Sequence, residues 1–417
     1  MSVRDLIAAH GTPPREVYFD LENSGYVPDE VVKAMIPYFN KVGYGHPSIT
    51  HKIGWEAYEV IYETKDLVRK TIGAKNIEEI IFTHSGTEAN NLAIFGFVLA
   101  NRKNPSKIVI SSIEHLSVIF PAEEAEKLFG FKILRLPVDE KGFVDPEILQ
   151  AYMDKDVSLV SIQMINHEIG TIQNIKELVK VVKDVNPNAI FHTDAADAYG
   201  KIKINVKEMG IDMLTISSHK IHGPRGVGIL YLKEGTKIEP VLRGQLSVEK
   251  YWPGVENVPL IAGFKKAVEL AFDDFDGHIR KVRKLRDRLM SGIIERVPHV
   301  LVNGPEGDKR APDNVNLSFL FVEGEAITVE LSLRGIYVSS GSACTSRILE
   351  PSHVLLAIGR KHEEAHGSIL FKLSRYHTKE DIDYTLENIS PAIERLRHIS
   401  SWKPEKNPKG ENNEVSP

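Results

Sequence analysis

The chain has a single cysteine, Cys344, among its 417 residues, so no disulfide can form within it. This favours a reducing, cytoplasmic setting. The longest apolar run, residues 93–100, is too short to cross a bilayer, and the polar residues 1–14 lack the apolar centre of a secretory signal. Basic residues are not in excess, since the formal net charge is -5, which argues against nucleic-acid binding. We therefore expect neither nucleic-acid nor membrane partners.

The residues that are present suit a globular enzyme, with 42% hydrophobic and 26% charged side chains. Up to about residue 232, short β-branched runs alternate with amphipathic segments, a pattern typical of βαβ units and a mostly parallel sheet. The predicted strands are 80–83, 108–112, 132–136, 157–163, 189–193, 213–217 and 228–232. Beyond Pro259 the pattern predicts long helices at 260–275 and 278–297, followed by short strands at 314–321, 336–339 and 368–373 and a helix at 379–398.

These patterns predict an α/β fold with a large domain, residues 15–260, built on a seven-stranded, mostly parallel sheet. A smaller α+β domain is predicted from residues 261–402 together with 1–14. The tail 403–417 is polar and rich in Pro, Gly and Asn, so we expect it to be disordered. The basic segment 279–296 is either a nucleic-acid or membrane element or a solvated helix face, and its apolar stripe favours the solvated face. The stripe consists of Val282, Leu285, Leu289 and Ile293.

Chemically useful side chains follow three of the predicted strands. Lys220 comes just after 213–217, Asp194 ends the preceding strand, and residues 83–91 (THSGTEANN) lead from a strand into a helix. Because ligands gather at the carboxyl ends of parallel strands, we expect these residues to face one crevice. Each also has a simpler interpretation: Lys220 as a surface-loop lysine, and the Ser/Thr/Gly residues as an ordinary helix N-cap.

Taken together, an amine, a carboxylate and a helix N-terminus are what pyridoxal 5′-phosphate (PLP) requires. A lysine condenses with its aldehyde, an acid pairs with its ring nitrogen, and backbone N–H groups bind its phosphate. His115 follows a fourth strand end, where it can stack on the ring. His219 and His222 are spaced for one helical turn, but the PLP interpretation already uses His219, and a count of 16 histidines does not by itself make a metal-ligand set, so no metal is predicted.

Two further residues lie in the carboxyl-terminal part of the chain. Cys344 stands in the small-residue run 338–346 (VSSGSACTS), where it is either a buried small hydrophobe or, as the Ser/Gly-rich context favours, an exposed nucleophilic thiol. Arg375 ends a predicted strand. Its guanidinium can grip a carboxylate in two places, or it can form a structural ion pair.

With these motifs the chain resembles the cysteine desulfurases, a class-V group of the fold-type I PLP-dependent aminotransferase superfamily, from residue 18 to about 397. The run SSGSACTS, followed by LEPSHVL, is the most specific signal. The remaining motifs are GWEA (54–57), SGTEANN (85–91), EH (114–115), NHEIG (166–170), SSHK (217–220) and EAHG (364–367).

The resemblance implies roles for these residues. Lys220 would hold PLP as a Schiff base, Asp194 would pair with the ring nitrogen, and His115 would stack on the ring and move protons. Cys344 would attack the sulfur of L-cysteine, giving alanine and a persulfide for an acceptor protein or scaffold. The family forms homodimers with shared active sites. Further implied contacts are with the phosphate (Gly86, Thr87, Ser217, His219) and with the substrate (Arg375, Asn166).

Three positions depart from the family pattern, and all of them are expected to contact the cofactor. His167 replaces an Asn and Asp197 replaces a Gln, both of which contact the phenolic oxygen, and Val255 replaces a Thr that reaches the neighbouring subunit's phosphate. The segments 22–26 and 244–253 are also rewritten. An ionised Asp197 would repel the phenolic oxygen, so we expect either a protonated His167 beside it or a protonated Asp197. PLP is expected to bind more weakly, with an altered Schiff-base pKa.

The main functional hypothesis is therefore a PLP-dependent cysteine desulfurase that supplies sulfur for iron–sulfur clusters or other sulfur compounds. Two alternatives remain. The chain is a lyase of the same family with another substrate, such as selenocysteine, or a non-catalytic sulfur carrier or scaffold. Alanine formation from cysteine separates the first hypothesis from the second, and the presence of Lys220 argues against the third.

Overall fold

The computed structural model describes residues 11–340 and 351–402, so Cys344 and the tail 403–417 lie outside the described residues. The strands are β1 (Val17–Tyr18), β2 (Ile80–Thr83), β3 (Lys107–Ser111), β4 (Lys132–Leu136), β5 (Val157–Ser161), β6 (Ile190–Asp194), β7 (Met213–Ser217), β8 (Gly228–Leu232), β9 (Val300–Val302), β10 (Asn314–Phe319), β11 (Ile336–Tyr337), β12 (Ser339–Ser340) and β13 (Ser368–Lys372). The helices are α1 (Asp29–Met35), α2 (Pro37–Asn40), α3 (Lys52–Ile72), α4 (Gly86–Asn101), α5 (Leu116–Phe129), α6 (Pro146–Tyr152), α7 (Ile175–Val185), α8 (Val206–Met209), α9 (Val258–Phe272), α10 (Phe275–Arg296), α11 (Gly324–Ser332), α12 (His353–Ala357), α13 (His362–His366) and α14 (Lys379–Ile399).

The central sheet has seven strands in the order β2-β8-β7-β6-β5-β3-β4. Strands β7, β6, β5, β3 and β4 run parallel, whereas β8 is antiparallel to both of its neighbours, β2 and β7. The predicted α/β class with a mostly parallel seven-stranded sheet is thus confirmed. This order brings the carboxyl ends of β2, β7, β6, β5 and β3 to one edge of the sheet.

The helices cover both faces of this sheet because the residues that they bury against it are apolar. In α7 the buried residues Ile175, Leu178, Val179 and Val182 recur at helical spacing and form one apolar stripe. Helix α4 is apolar over most of its surface and is buried between the sheet and its neighbours, with Ser85 as its N-cap. The Ser85 side chain accepts a hydrogen bond from the N–H of Glu88 and so fixes the point where α4 begins.

A second core forms around the four-stranded sheet β12-β13-β10-β9, in which neighbouring strands are antiparallel. Helices α10 and α14 contribute their apolar sides to this core. The predicted stripe of α10, Val282 to Ile293 in steps of three or four, is buried as expected. One basic residue of that helix, Arg286, is buried too, because it donates hydrogen bonds to the carbonyl oxygens of Arg310 and Ala311.

The two cores exchange segments near the predicted domain boundary. The apolar residues of α9, such as Phe264 and Val268, belong to the core around the seven-stranded sheet, although they follow residue 260. Conversely, Val17 and Phe19 belong to the second core. The division of the chain at residues 260 and 261 therefore stays a prediction, and the packing of α9 favours a boundary after residue 272. None of the described helices is long and apolar enough to span a membrane.

Candidate active site

A cavity opens at the carboxyl ends of β2, β3, β6 and β7. Nine of the thirteen site residues expected from sequence line it: Gly86, Thr87, His115, His167, Asp194, Asp197, Ser217, His219 and Lys220. Glu22, Asn23, Asn90 and Gln163 are among the other lining residues. The cavity therefore brings together the residues of the strand-end argument, Lys220, Asp194, His115 and Gly86–Thr87, with four residues that the resemblance implies.

One end of the cavity is an anion-binding cradle at the N-terminus of α4. Here the backbone of Gly86 approaches β7 so closely that a Cβ on this residue would lie 3.1 Å from the Cβ of Ser217. The Ser217 hydroxyl lies 3.0 Å from Nδ1 of His219. Free N–H groups and the helix dipole make such a terminus favourable for a phosphate.

Asp194 lies at the end of β6 and is held by uncharged donors. Asn90 donates to its Oδ2 over 2.7 Å, and the N–H of Ala196 donates to its Oδ1 over 2.9 Å. Burial raises the pKa of this carboxyl group. Among residues 11–340 and 351–402, no lysine or arginine forms a salt bridge with it. The carboxylate is thus a buried acceptor in a cavity, without a cationic side chain of its own.

Two histidines stand beside Asp194 in the cavity. His115 caps α5, its Nδ1 accepting from the N–H of Ser117 at 3.1 Å. Its ring meets that of His167 edge-on, with the ring centroids 5.2 Å apart. Burial, and after it the charge of His115, holds the pKa of His167 well below its usual range. His167 is consequently neutral near pH 7.

Lys220 sits on the short 3₁₀ turn Ser218–Ile221 that follows β7. Its Nζ contacts Oε1 of Glu22 closely and lies 3.0 Å from Oδ2 of Asp197. Lys372, from β13, lies 2.8 Å from Oδ1 of Asp197 and 3.2 Å from Oε2 of Glu22. The side chains of these four residues are at most 13% exposed. Lys220 is therefore a buried, oriented amine rather than a surface-loop lysine.

The contacts extend beyond these four residues to one further pair. Lys201 bridges Oδ1 of Asp197, at 3.1 Å, and Oδ2 of Asp313, at 2.7 Å. We call the resulting group of three ammonium and three carboxylate groups the lysine–carboxylate cluster. It consists of Lys220, Lys372, Lys201, Glu22, Asp197 and Asp313.

This cluster corrects the expected charge states of the two substituted positions. Burial raises the pKa of Asp197, but the charges of Lys220, Lys372 and Lys201 outweigh burial and hold it well below its usual range. Asp197 is thus ionised and His167 is neutral, so His167 does not balance the negative charge of Asp197. The three lysines balance it instead. Two of them, Lys220 and Lys372, are so distant from Asp197 in sequence that the contact could not be predicted.

Three of the expected site residues that the structure describes do not line this cavity. The Asn166 amide joins two loops, since its Nδ2 donates to the carbonyl oxygen of Ile113 and its Oδ1 accepts from the N–H groups of Glu168 and Ile169. Val255 is 61% exposed and lines another cleft. Cys344 lies outside the described residues.

The third such residue, Arg375, lines a neighbouring cleft of about 600 Å³ that shares Lys220 with the cavity. Its guanidinium donates to the carbonyl oxygen of Leu270 at 2.9 Å and to the Tyr376 hydroxyl at 3.1 Å. Glu22, in contrast, lines the cavity although the sequence predicted no role for it. The departure of segment 22–26 from the family pattern was the feature of the sequence that could have indicated it.

Comparison with known proteins decides the family. The Aminotransferase class-V family model matches residues 17–385. Cysteine desulfurase IscS of Dictyoglomus turgidum is 46% identical over 391 residues, covering 94% of this chain and 98% of that protein. The chain belongs to the cysteine desulfurase family of class-V aminotransferases.

Solved structures of proteins similar to this family member have the same architecture. A NIFS-like protein superimposes with a TM-score of 0.85 at 32% identity, covering 92% of this chain and 100% of that one. A structure described as SspA in complex with cysteine has a TM-score of 0.75 at 29% identity, covering 87% of this chain and 99% of that one.

Cysteine desulfurases depend on PLP, and the residues of the cavity fit this cofactor. Asp194 is a buried carboxylate that lacks a cationic side chain, as a partner for a protonated pyridine nitrogen should. The Gly86 cradle suits the phosphate, and the amine of Lys220 opens onto the same cavity. Substitution at positions 167 and 197 has thus left all three parts of the site in place.

Proposed function

We propose that this chain is a PLP-dependent cysteine desulfurase that converts L-cysteine to L-alanine and forms a persulfide on Cys344. The sulfur then passes to an acceptor protein or scaffold, for iron–sulfur clusters or other sulfur compounds. The observation that carries the proposal is the convergence of Lys220, Asp194 and the N-terminus of α4 on one cavity, in a chain of this family. A cytoplasmic location is part of the proposal, because a lone reactive thiol needs a reducing compartment.

Gly86, Thr87, Ser217 and His219 would hold the phosphate of PLP. When bound, PLP supplies an electron sink for bonds at the substrate's α-carbon. Asp194 supports that chemistry by keeping a negative charge where the ring nitrogen binds, and the two neutral donors that hold it leave this charge uncompensated.

His115 is suited to move protons in the cavity. Its Nδ1 is fixed by the N–H of Ser117, which leaves Nε2 as the nitrogen able to exchange a proton with a bound substrate. The ring also lies beside the neutral His167, so the two imidazoles do not compete for one charge.

Arg375 remains the proposed clamp for the substrate carboxylate. Its cleft shares the lining residue Lys220 with the cavity, but its guanidinium is turned to the Leu270 carbonyl oxygen. We therefore expect the guanidinium to leave that oxygen when the substrate binds. The charge-assisted, two-pronged hydrogen bond to a carboxylate is the stronger interaction, which favours the exchange.

The chain is also proposed to form a homodimer. Large apolar side chains exposed on and between α1, α2 and α3 support this, because exposed apolar groups on a single molecule can mark an interaction surface. They are Val32, Ile36, Phe39, Trp55, Tyr58 and Tyr62, each 40–62% exposed. Val255, exposed and outside its own chain's cavity, remains available to the partner's site.

Trp55→Glu tests the dimer, since a charge buried in an apolar interface is costly. By analytical ultracentrifugation the variant is expected to have half the mass of the parent protein. A cooperative thermal unfolding transition should show that the monomer is still folded. Lys70→Glu on the same helix is the control and should leave the mass unchanged. A monomeric parent protein contradicts the proposal.

The first experiment on function is the visible spectrum of the purified protein during a titration with L-cysteine, with alanine measured in parallel. We expect a yellow band that shifts or bleaches with cysteine and alanine that accumulates over many turnovers. Lys220→Ala should lose both. A spectral response to selenocysteine alone favours the lyase alternative, and a protein that stays colourless with added PLP favours the carrier alternative.

A further inference from the structure

Glu22 is a charged residue of the cavity to which the family pattern assigns no role. It precedes α1, in the segment 22–26, and reaches across the sequence to Lys220, 198 positions away. Its two carboxylate oxygens are divided between two lysines, Oε1 toward Lys220 and Oε2 toward Lys372. A carboxylate shared in this way acts on the Lys220 nitrogen directly, not through a neighbour.

The environment of Lys220 contains charged groups from several elements. Glu22 approaches from the N-terminal segment, Asp197 from the loop after β6 and Lys372 from β13. Lys201 and Asp313 lie behind Asp197. The titratable neighbours His219 and His167 are neutral near pH 7, because burial lowers the pKa of His219 to about 4 and that of His167 well below its usual range.

The charges of the lysine–carboxylate cluster balance when all three lysines are protonated. With a proton on each lysine the cluster has three positive and three negative charges. If the Lys220 nitrogen lost its proton, one negative charge would remain uncompensated in a buried place. Such a charge is strongly unfavourable in a protein interior, so the cluster favours a protonated nitrogen.

We propose that Glu22 is a further catalytic residue, whose carboxylate acts with Asp197 to hold a proton on the Lys220 nitrogen, both in the free lysine and when that nitrogen is linked to the cofactor. The inference rests on the proposed function, since it assigns Lys220 to PLP. A protonated linkage is the form more readily attacked by an incoming amine. Glu22 and Asp197 therefore keep the site ready for substrate at neutral and mildly alkaline pH.

Two further features of the structure agree with this role. Burial lowers the pKa of Lys220, but the charges of Asp197 and Glu22 outweigh burial and raise it overall. Lys372 holds the two carboxylates together from the opposite side, and so prevents their mutual repulsion from moving Glu22 away. Lys372 is 1% exposed and has no other carboxylate partner among the described residues.

The test is the pH titration of the visible absorption of the PLP-loaded enzyme without substrate. The midpoint at which the band shifts reports the proton on the linked nitrogen and does not depend on turnover. Glu22→Gln keeps the shape and removes the charge, so we expect its midpoint to fall by about one pH unit or more, a tenfold change in proton affinity. Lys372→Met should move the midpoint in the opposite direction.

Two variants separate a direct contact from other effects. Asp20→Asn removes a nearby carboxylate, two positions before Glu22, that forms no ion pair with Lys220, and it should leave the midpoint unchanged. Glu22→Asp keeps the charge and should leave the midpoint close to that of the parent. A Glu22→Gln midpoint equal to that of the parent overturns the inference, even if the thermal midpoint has changed. An enzyme that forms alanine with such an unshifted midpoint leaves the proposed function standing, whereas a parent protein without a PLP band overturns both.

Discussion

Replacing Asp197 with asparagine tests whether the lysine–carboxylate cluster also stabilises the fold. Asp197 is 4% exposed and lies 2.8–3.1 Å from the ammonium groups of Lys372, Lys220 and Lys201, which are at most 12% exposed. Its removal leaves three buried lysines with two carboxylates. Breaking a buried ion pair in this way typically costs about 3–5 kcal/mol, so we expect a loss of that size in the apoprotein.

The pH dependence gives this prediction a second, independent signature. The three lysines hold the pKa of Asp197 well below its unfolded value of about 4, despite burial, which raises it. A group with a lowered pKa in the folded state contributes its full stability above the unfolded pKa and loses it as the pH falls through the folded pKa. The difference between the parent and Asp197→Asn should therefore be constant from about pH 8 to pH 5.5 and shrink below about pH 4.

The assay is urea unfolding of the apoproteins, followed by tryptophan fluorescence at several pH values. Glu63→Gln is the matched control, because Glu63 pairs with Lys265 at 2.6 Å but is 47% exposed. Such a surface pair is worth about 0–1 kcal/mol. If Asp197→Asn lowers the urea midpoint no more than Glu63→Gln does, or if the difference grows on acidification, the cluster does not hold Asp197 as described.

Two other variants test the binding sites of the cavity and its neighbouring cleft. Gly86→Ala places a Cβ 3.1 Å from the Ser217 Cβ and closes the cradle. Losing one hydrogen bond to a charged phosphate costs about 1.5–3 kcal/mol, which should raise the Kd for PLP about 10- to 100-fold. A fluorescence titration that gives an unchanged Kd refutes the cradle. Arg375→Gln should raise KM for cysteine about 10-fold or more with little change in kcat if the guanidinium binds the carboxylate, whereas a purely structural Arg375 changes the thermal midpoint and not KM.

Much of the fold was predictable because strand periodicity and strand ends are local properties. Four of the seven strands of the central sheet have the predicted bounds, as with Met213–Ser217, and the other three differ by one or two residues at one or both ends. The crevice followed from the rule that ligands bind at the carboxyl ends of parallel strands. That rule needs only strand direction, which alternating helices imply.

The charge state of the site was not predictable, because it depends on contacts distant in sequence. Lys372 approaches Asp197 from 175 positions away, on a strand of the second core. Local sequence gives no reason to place a lysine there in a buried position. Considered alone, the two substitutions suggested a proton either on His167 or on Asp197, an interpretation that the lysines of the cluster make unnecessary.

The burial of Arg286 and the position of Arg375 have a similar cause. Arg286 lies on a helix of basic residues, yet two carbonyl oxygens near Arg310 accept its hydrogen bonds and stabilise it in the interior. Arg375 ends the strand region as expected, but its side chain meets the Leu270 carbonyl oxygen of α9. In both residues tertiary hydrogen bonds, not the local pattern, decide where the guanidinium lies.

The most direct test of the central claim is mass spectrometry of the peptide that contains Cys344 after brief exposure of the PLP-loaded enzyme to L-cysteine, with alkylation to trap persulfides. The account predicts an added sulfur on Cys344 and an equivalent amount of alanine in the first turnover. Cys344→Ser should show neither the added sulfur nor sustained alanine formation. Alanine formed at the parent rate by Cys344→Ser, or a parent peptide without added sulfur, would contradict it.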